Sequence, residues 1–257
     1  MEHGSKEDRR SRQHGTLEWP RLDRFRISPP TKKDLDAAEA AWREGTLVHE
    51  VPVNTRYWRV LRAVPPADPL EYATTCYPSD SDNRFTPIFA GGKIVASAYA
   101  GSTPEIALWE VILRDIRHKG IKRVPQHETT SRYLVEARTT RVVKLLDLRR
   151  PKDANLVAGR RRPPKLTAAP KSAYAVTRAW AQALYDRLPE IDGLIYESHQ
   201  VPGDCIVLWQ SRRSEVFKSM GKAQPVNTGA VRKLLRAEAR KAGAVVDFGG
   251  LEDDRVR

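Results

Sequence analysis

The chain has 257 residues, with 45 Lys and Arg against 32 Asp and Glu, for a formal net charge of +13. A hydrophobic share of 40%, with 6 Trp, 8 Tyr and 5 Phe, suffices for a sizeable core, while 30% charged residues and a negative mean hydropathy argue against a membrane protein. No stretch approaches the ~18 apolar residues of a spanning helix, and the basic N-terminus lacks the apolar core of a secretory signal, so the expected location is the cytoplasm.

Residues 1–30 are polar and basic, end in Ser28-Pro29-Pro30, and are expected to form a flexible tail. From Thr31 the pattern turns helical, with Leu35, Ala38, Ala41 and Trp42 at helical spacing, Asp34 in the first turn and Gly45 as the stop. Short strands are expected at Thr46–Val51 and Tyr57–Val60, followed by irregular chain between Arg62 and Thr86 that includes the run SDSDN. A strand is expected over Lys93–Ala100. Ser102-Thr103-Pro104-Glu105 then combines a capping-box spacing with proline in the first helical turn, predicting a helix to about His118.

Further strands are expected at Tyr133–Ala137 and Val142–Leu148. The stretch 149–171 has eight Lys and Arg against one acid, Asp153, and four prolines, so it is expected to be a basic loop. It suits nucleic acid, a phosphorylated ligand or an acidic partner equally on charge alone, and solvation alone is the plain alternative. A helix over Ser172–Leu188 carries the stripe Val176, Ala179, Trp180, Ala183 and Leu184, and strands at Leu194–Glu197 and Cys205–Trp209 follow. Beyond Ser214 one amphipathic helix, Thr228–Ala242, is expected. Strands that outnumber the helices without regular alternation predict an α+β fold with one main domain over 31–213 and a C-terminal extension over 214–257.

Cys76 and Cys205 lie far apart with no CxxC and no Cys/His partners at ligand spacing, so neither a disulfide framework nor a metal site is expected. No GxGxxG, GxxxxGK[ST], HExxH or GxSxG frame is present. Glu110 shares the helix side of Ile106, Ala107 and Leu113. That is common for an acid at the edge of an apolar stripe, and it also suits a carboxylate held at a cleft wall for chemistry on a sugar. Arg59 lies in the strand-like YWRV, and Arg84 follows SDSDN. Each is either a surface ion-pair residue or a planar donor for phosphate oxygens. Ser198 ends LIYES, where a hydroxyl ordinarily marks a turn.

Taken in order, Trp58-Arg59-Val60, Arg84-Phe85, Ala98-Tyr99-Ala100, Ala107-Leu108-Trp109-Glu110 and Tyr196-Glu197-Ser198 resemble the motifs of the RES domain. This is the toxin half of bacterial type II toxin–antitoxin modules, named for its Arg, Glu and Ser. The sequence departs from the family's pattern where SDSDN replaces a glycine-rich lead, and in its longer basic loop and its tails.

The resemblance implies an ADP-ribosyltransferase-like fold of mixed and antiparallel sheets with flanking helices. It implies an enzyme that cleaves the nicotinamide–ribose bond of NAD as a glycohydrolase, or as a phosphorylase with inorganic phosphate as co-substrate; the alternative is a toxin that transfers ADP-ribose to a protein. NAD is then the substrate, and no cofactor or metal is expected. Carried over, Glu110, Arg84 and Ser198 are the catalytic residues, with Glu110 steadying charge at the anomeric carbon. Arg59, Tyr99 and Tyr196 bind substrate. The implied partner is a helix-turn-helix (Xre-type) antitoxin that supplies any DNA contact, and the oligomeric state is open. The rival reading, a basic nucleic-acid-binding module without catalysis, rests on the charge and on Arg160–Arg162, but no recognition helix or RNP-like strand supports it.

Overall fold

Thr31 closes the first helix at its N-terminus: its hydroxyl accepts from the Asp34 amide at 3.2 Å while the Asp34 carboxylate accepts from the Thr31 amide at 2.9 Å. This reciprocal cap, worth about 1 kcal/mol, starts α1 (Lys32–Arg43) in the computed structural model, which describes residues 27–62, 83–114, 116, 123–149, 166–209 and 216–249. Strands β1 (Val48–Val51), β2 (Arg56–Arg62), β3 (Phe89–Ala90), β4 (Lys93–Ile94) and β5 (Ser97–Gly101) precede α2 (Pro104–Val111). Then come β6 (Arg123–Val124), β7 (Arg132–Thr139), β8 (Val143–Asp147), α3 (Tyr174–Arg187), β9 (Gly193–Glu197), β10 (Asp204–Trp209), β11 (Phe217–Pro225), α4 (Gly229–Lys241) and β12 (Val245–Val246).

Eight strands form one mixed sheet in the order β1-β8-β9-β10-β5-β2-β7-β11, in which only β8 and β9 run parallel. The fold is α+β, as expected. Cross-strand neighbours share a sheet face, so the row Tyr196–Cys205–Gly101–Trp58 lies on one face and continues across four strands. On its β8–β10 half that face packs Leu146, Leu194 and Val207 against Ala38 and Trp42 of α1 and Val176 and Trp180 of α3. On its other half Trp58, Val60 and Leu134 meet Leu108 and Trp109 of α2 and Val231 and Leu235 of α4. The opposite face gathers smaller side chains, Ala98, Ala100 and Ala137 among them, with Ile195, Ile206 and Leu208.

Four expectations change. The strand expected over Lys93–Ala100 is broken between Ile94 and Ser97, because the Val95 amide donates to the Ile88 carbonyl and Val95 turns into the core. The helix expected to reach His118 ends at Val111. The amides of Ile112 and Leu113 both donate to the Leu108 carbonyl, at 2.8 and 3.1 Å, which opens the turn and directs Ile112, Leu113 and Ile116 into the cluster around α4.

The other two concern the ends of the domain. Ile27 is buried and the Ser28 carbonyl accepts from the Trp180 indole at 2.8 Å, so the last residues of the expected tail are part of the core; residues 1–26 lie outside the described chain. Nor does the sheet stop at 213: β11 pairs along β7, and α4 packs on α2, so the segment expected as an extension completes the domain. As an exposed edge strand with two lysines and a register shift between Met220 and Gln224, β11 lacks the alternation that marks a strand in sequence.

Candidate active site

A cleft of about 910 Å³ opens at the seam between the two helix pairs, and Arg59, Arg84, Tyr99, Glu110 and Tyr196 all line it. These five come from β2, the chain before β3, β5, α2 and β9; the sheet register sets Tyr196 beside Cys205 on β10, and Tyr99 beside Val207. Ser198, just past β9, joins them through its bond to Glu110. Tyr174 of α3 and Cys205 also line the cleft, and sequence reasoning missed both. Neither sits in a motif. Tyr174 follows the basic stretch, and Cys205 is one more apolar position of a strand.

Glu110 reaches the cleft from a helix that starts abruptly. The Thr103 hydroxyl accepts from the Ile106 amide at 3.3 Å, and Pro104 supplies the first helical residue. Gly101 lets strand and helix approach this closely, since a Cβ there would stand 2.9 Å from the Ala107 nitrogen. Across the cleft floor, the turn after β9 closes with the Ser198 amide donating to the Gly203 carbonyl at 2.8 Å. Gly203 has φ +138°, and any side chain there would meet Ile106.

That turn orients the Ser198 hydroxyl. The amides of Gln200 and Val201 donate to its oxygen at 3.2 and 3.4 Å, so its proton goes to Glu110 Oε1, at 2.6 Å. Ser198 is therefore a donor to the carboxylate.

Arg84 is held through its backbone, which leaves its side chain to the cleft. Its carbonyl accepts from the Thr177 hydroxyl, and the Asn83 carbonyl accepts from Arg178 at 3.4 Å. The Phe85 amide donates to the Tyr99 hydroxyl at 3.1 Å, and Thr86 Oγ1 lies 3.3 Å from the same hydroxyl. Tyr99 thus fastens the Arg84 segment to β5 as well as lining the cleft. The Arg84 guanidinium lies over the rings of Tyr174 and Tyr196, at 5.6 and 6.0 Å. Burial works against its charge, but the Tyr196 and Tyr174 phenols and the Glu110 carboxylate outweigh it and hold its pKa above the ordinary arginine value. Its Nε is buried without a hydrogen-bond partner among the described residues.

The Tyr99 and Tyr196 phenols and the Cys205 thiol are neutral at pH 7. Burial pushes Tyr99 up to about 12 and Tyr196 well above the ordinary tyrosine value. Burial, with Glu110 nearby, likewise raises the Cys205 thiol, which makes it a poor nucleophile. Arg59 is 5% exposed in β2. Toward the mouth Arg132 pairs with Glu128 and Arg123 with Asp247. The centre of the site is therefore the Glu110 carboxylate, steadied by a serine, facing the buried Arg84 guanidinium beside the Tyr174 and Tyr196 rings.

Of the basic stretch, residues 150–165 lie outside the described chain, and with them Arg160–Arg162. Arg149 is committed to the Asp147 carboxylate and to Asp204, at 2.8 to 2.9 Å. Among the described residues no helix is long and apolar enough to cross a membrane, and no group of His, Cys, Asp and Glu could hold a metal ion.

The sequence profile of the RES domain matches residues 56–227. The chain belongs to the RES domain family. The matched span runs from β2 into the turn after β11, so it contains every cleft residue named above and reaches past 213. No curated protein gives a significant match. Among solved structures, a chain of the crystal structure of the M. tuberculosis MbcT–MbcA toxin–antitoxin complex is similar over 80% of this chain and 98% of its own, with a TM-score of 0.52 and 14% identity. At that identity the likeness concerns the fold, and it agrees with the α+β architecture of a mixed sheet with flanking helices.

Proposed function

We propose that this RES-domain protein is the toxin of a toxin–antitoxin pair and that it consumes NAD by cleaving the nicotinamide–ribose bond. The observation that carries the reading is the Glu110 carboxylate, bonded by Ser198 and set opposite Arg84 in one cleft. A cleft of this volume lies within the range that encloses a dinucleotide. The buried Nε of Arg84 has a desolvation cost of about 1–3 kcal/mol that an anionic oxygen would recover.

In this reading Arg59 and Arg84 hold the pyrophosphate by charge-assisted bonds. Tyr196 and Tyr99 supply the flat walls against which a ribose or nicotinamide ring packs. As the C–N bond breaks, its electron pair leaves with nicotinamide, which departs neutral, and positive charge develops on the ribose. Glu110 faces that charge and stabilises it. Ser198 keeps the carboxylate aimed by donating to one of its oxygens. Water then adds to the anomeric carbon and loses a proton, giving ADP-ribose, or phosphate adds and gives ADP-ribose-1″-phosphate. The similar fold in a toxin–antitoxin complex supports an antitoxin as partner. A helix-turn-helix protein carrying the DNA contacts is the form we expect.

The test is incubation of the purified protein with NAD, with and without phosphate, with nicotinamide measured by chromatography. Wild-type release that falls by about 100-fold or more in Glu110→Ala is expected. A phosphorylated ribose product identifies phosphorolysis. Release only when cell protein is added identifies transfer to a protein, and no release under any of these conditions overturns the reading.

A further inference from the structure

The residue before Glu110 makes a contact the cleft does not use. Trp109 is fully buried on the far side of α2, and its indole N–H donates to Glu238 Oε2 of α4 at 3.0 Å. Glu238 is itself only 4% exposed, and its other oxygen accepts from Lys241 at 2.5 Å. A carboxylate this buried is costly unless both oxygens are bonded. Leu235 and Ala239 fill the same interface, so an apolar side chain could have occupied position 238.

Helix α2 has eight residues, too few to hold an orientation by itself. Thr103 fixes its start, but no capping side chain fixes its end, where two amides share one carbonyl. Successive side chains of a helix are about 100° apart. Whatever sets the azimuth of Trp109 therefore sets that of Glu110. Resting on the reading of Glu110 given above, we propose that Glu238 is a positioning residue. By accepting the Trp109 indole N–H it fixes the rotation of α2, and with it the reach of Glu110 to Ser198 and to the cleft. The C-terminal helix is then part of the working site although it touches no ligand.

The test compares Glu238→Leu, Glu238→Gln and Trp109→Phe in the full chain. Glu238→Leu is expected to lower kcat by about 10- to 100-fold with KM within about two-fold of wild type. Glu238→Gln keeps an oxygen for the indole and restores kcat to within a few-fold. Trp109→Phe matches the loss, and the Trp109→Phe/Glu238→Leu double variant is no worse than either alone. Lys241→Met, which leaves the indole bond in place, retains kcat. The proposal is overturned if Glu238→Leu keeps wild-type kcat, or if kcat falls only as the folded fraction falls in a thermal melt. A second readout does not depend on turnover: the ¹³C carboxyl resonance of Glu110 moves in Glu238→Leu and stays in Glu238→Gln. An unmoved resonance overturns the positioning role even if the wild-type protein releases no nicotinamide, an outcome that would instead overturn the NAD reading.

Discussion

The two helix pairs lie on one face of one sheet, and α2 in one of them is built differently from α1 and α3 in the other. α1 and α3 are 12 and 14 residues long, α1 carries a full capping box, and both bury a periodic stripe. α2 has eight residues and buries four consecutive side chains, Ile106 to Trp109, with no face left to solvent over that stretch. The long pair is held by its own pattern and serves as the wall behind the cleft. The short helix is held by its neighbours, and it carries Glu110. A group that must be aimed sits on an element that its surroundings can aim, which gives the aim to α4 and to the Ser198 turn.

The largest test of this contrast is at the centre of the long pair. Trp180 is fully buried among α1, α3 and the sheet, and its indole donates to the Ser28 carbonyl at 2.8 Å. Trp180→Ala is expected to cost about 3–5 kcal/mol of stability, read by denaturant unfolding, while the molecules that remain folded keep kcat within about two-fold. A kcat loss beyond the loss of folded protein would show that the wall also aims the site. On the other side, Gly101 joins β5 to α2. In Gly101→Ala the new methyl meets the Ala107 nitrogen and the Ile106 side chain at 2.9 Å, so the helix start must shift. The expected cost is smaller, about 1–3 kcal/mol, but kcat falls with it, because the element displaced is the one carrying Glu110.

The same contrast explains what was legible in the sequence. The helix start at Thr31, the helix of α3 and the strands around Tyr196 and Cys205 follow from local pattern, and the structure has them. The RES motifs were legible because each is a short local run of residues, and the fold brings these runs to one cleft. The end of α2, the break at Val95 and the edge strand β11 were not legible. Each is decided by a partner distant in sequence: the α4 cluster, the Ile88 carbonyl and β7. Tyr174 and the pair Trp109–Glu238 escaped for the same reason. Trp109 and Glu238 lie 129 residues apart, and nothing local distinguishes Glu238 from an ordinary surface acid of an amphipathic helix.

The smallest effect is the most specific to that pair. Burial raises the pKa of Glu238, but the bonds from Lys241 and Trp109 outweigh it and leave the carboxyl below the ordinary glutamate value. A depressed folded-state pKa means that the unfolded chain takes up this proton first as pH falls. The stabilisation is therefore complete above the ordinary glutamate pKa and is lost as pH drops through the folded value. Glu238→Gln cannot titrate, so wild type and variant should differ in Tm at pH 7 and converge as pH falls below the ordinary glutamate pKa. Parallel curves would show that the carboxylate contributes nothing through its charge, leaving only the oxygen that the indole needs. Convergence confined to that acid range would mean that Glu238 is fully ionised near neutral pH, so the hold on Trp109 is a constant of the fold.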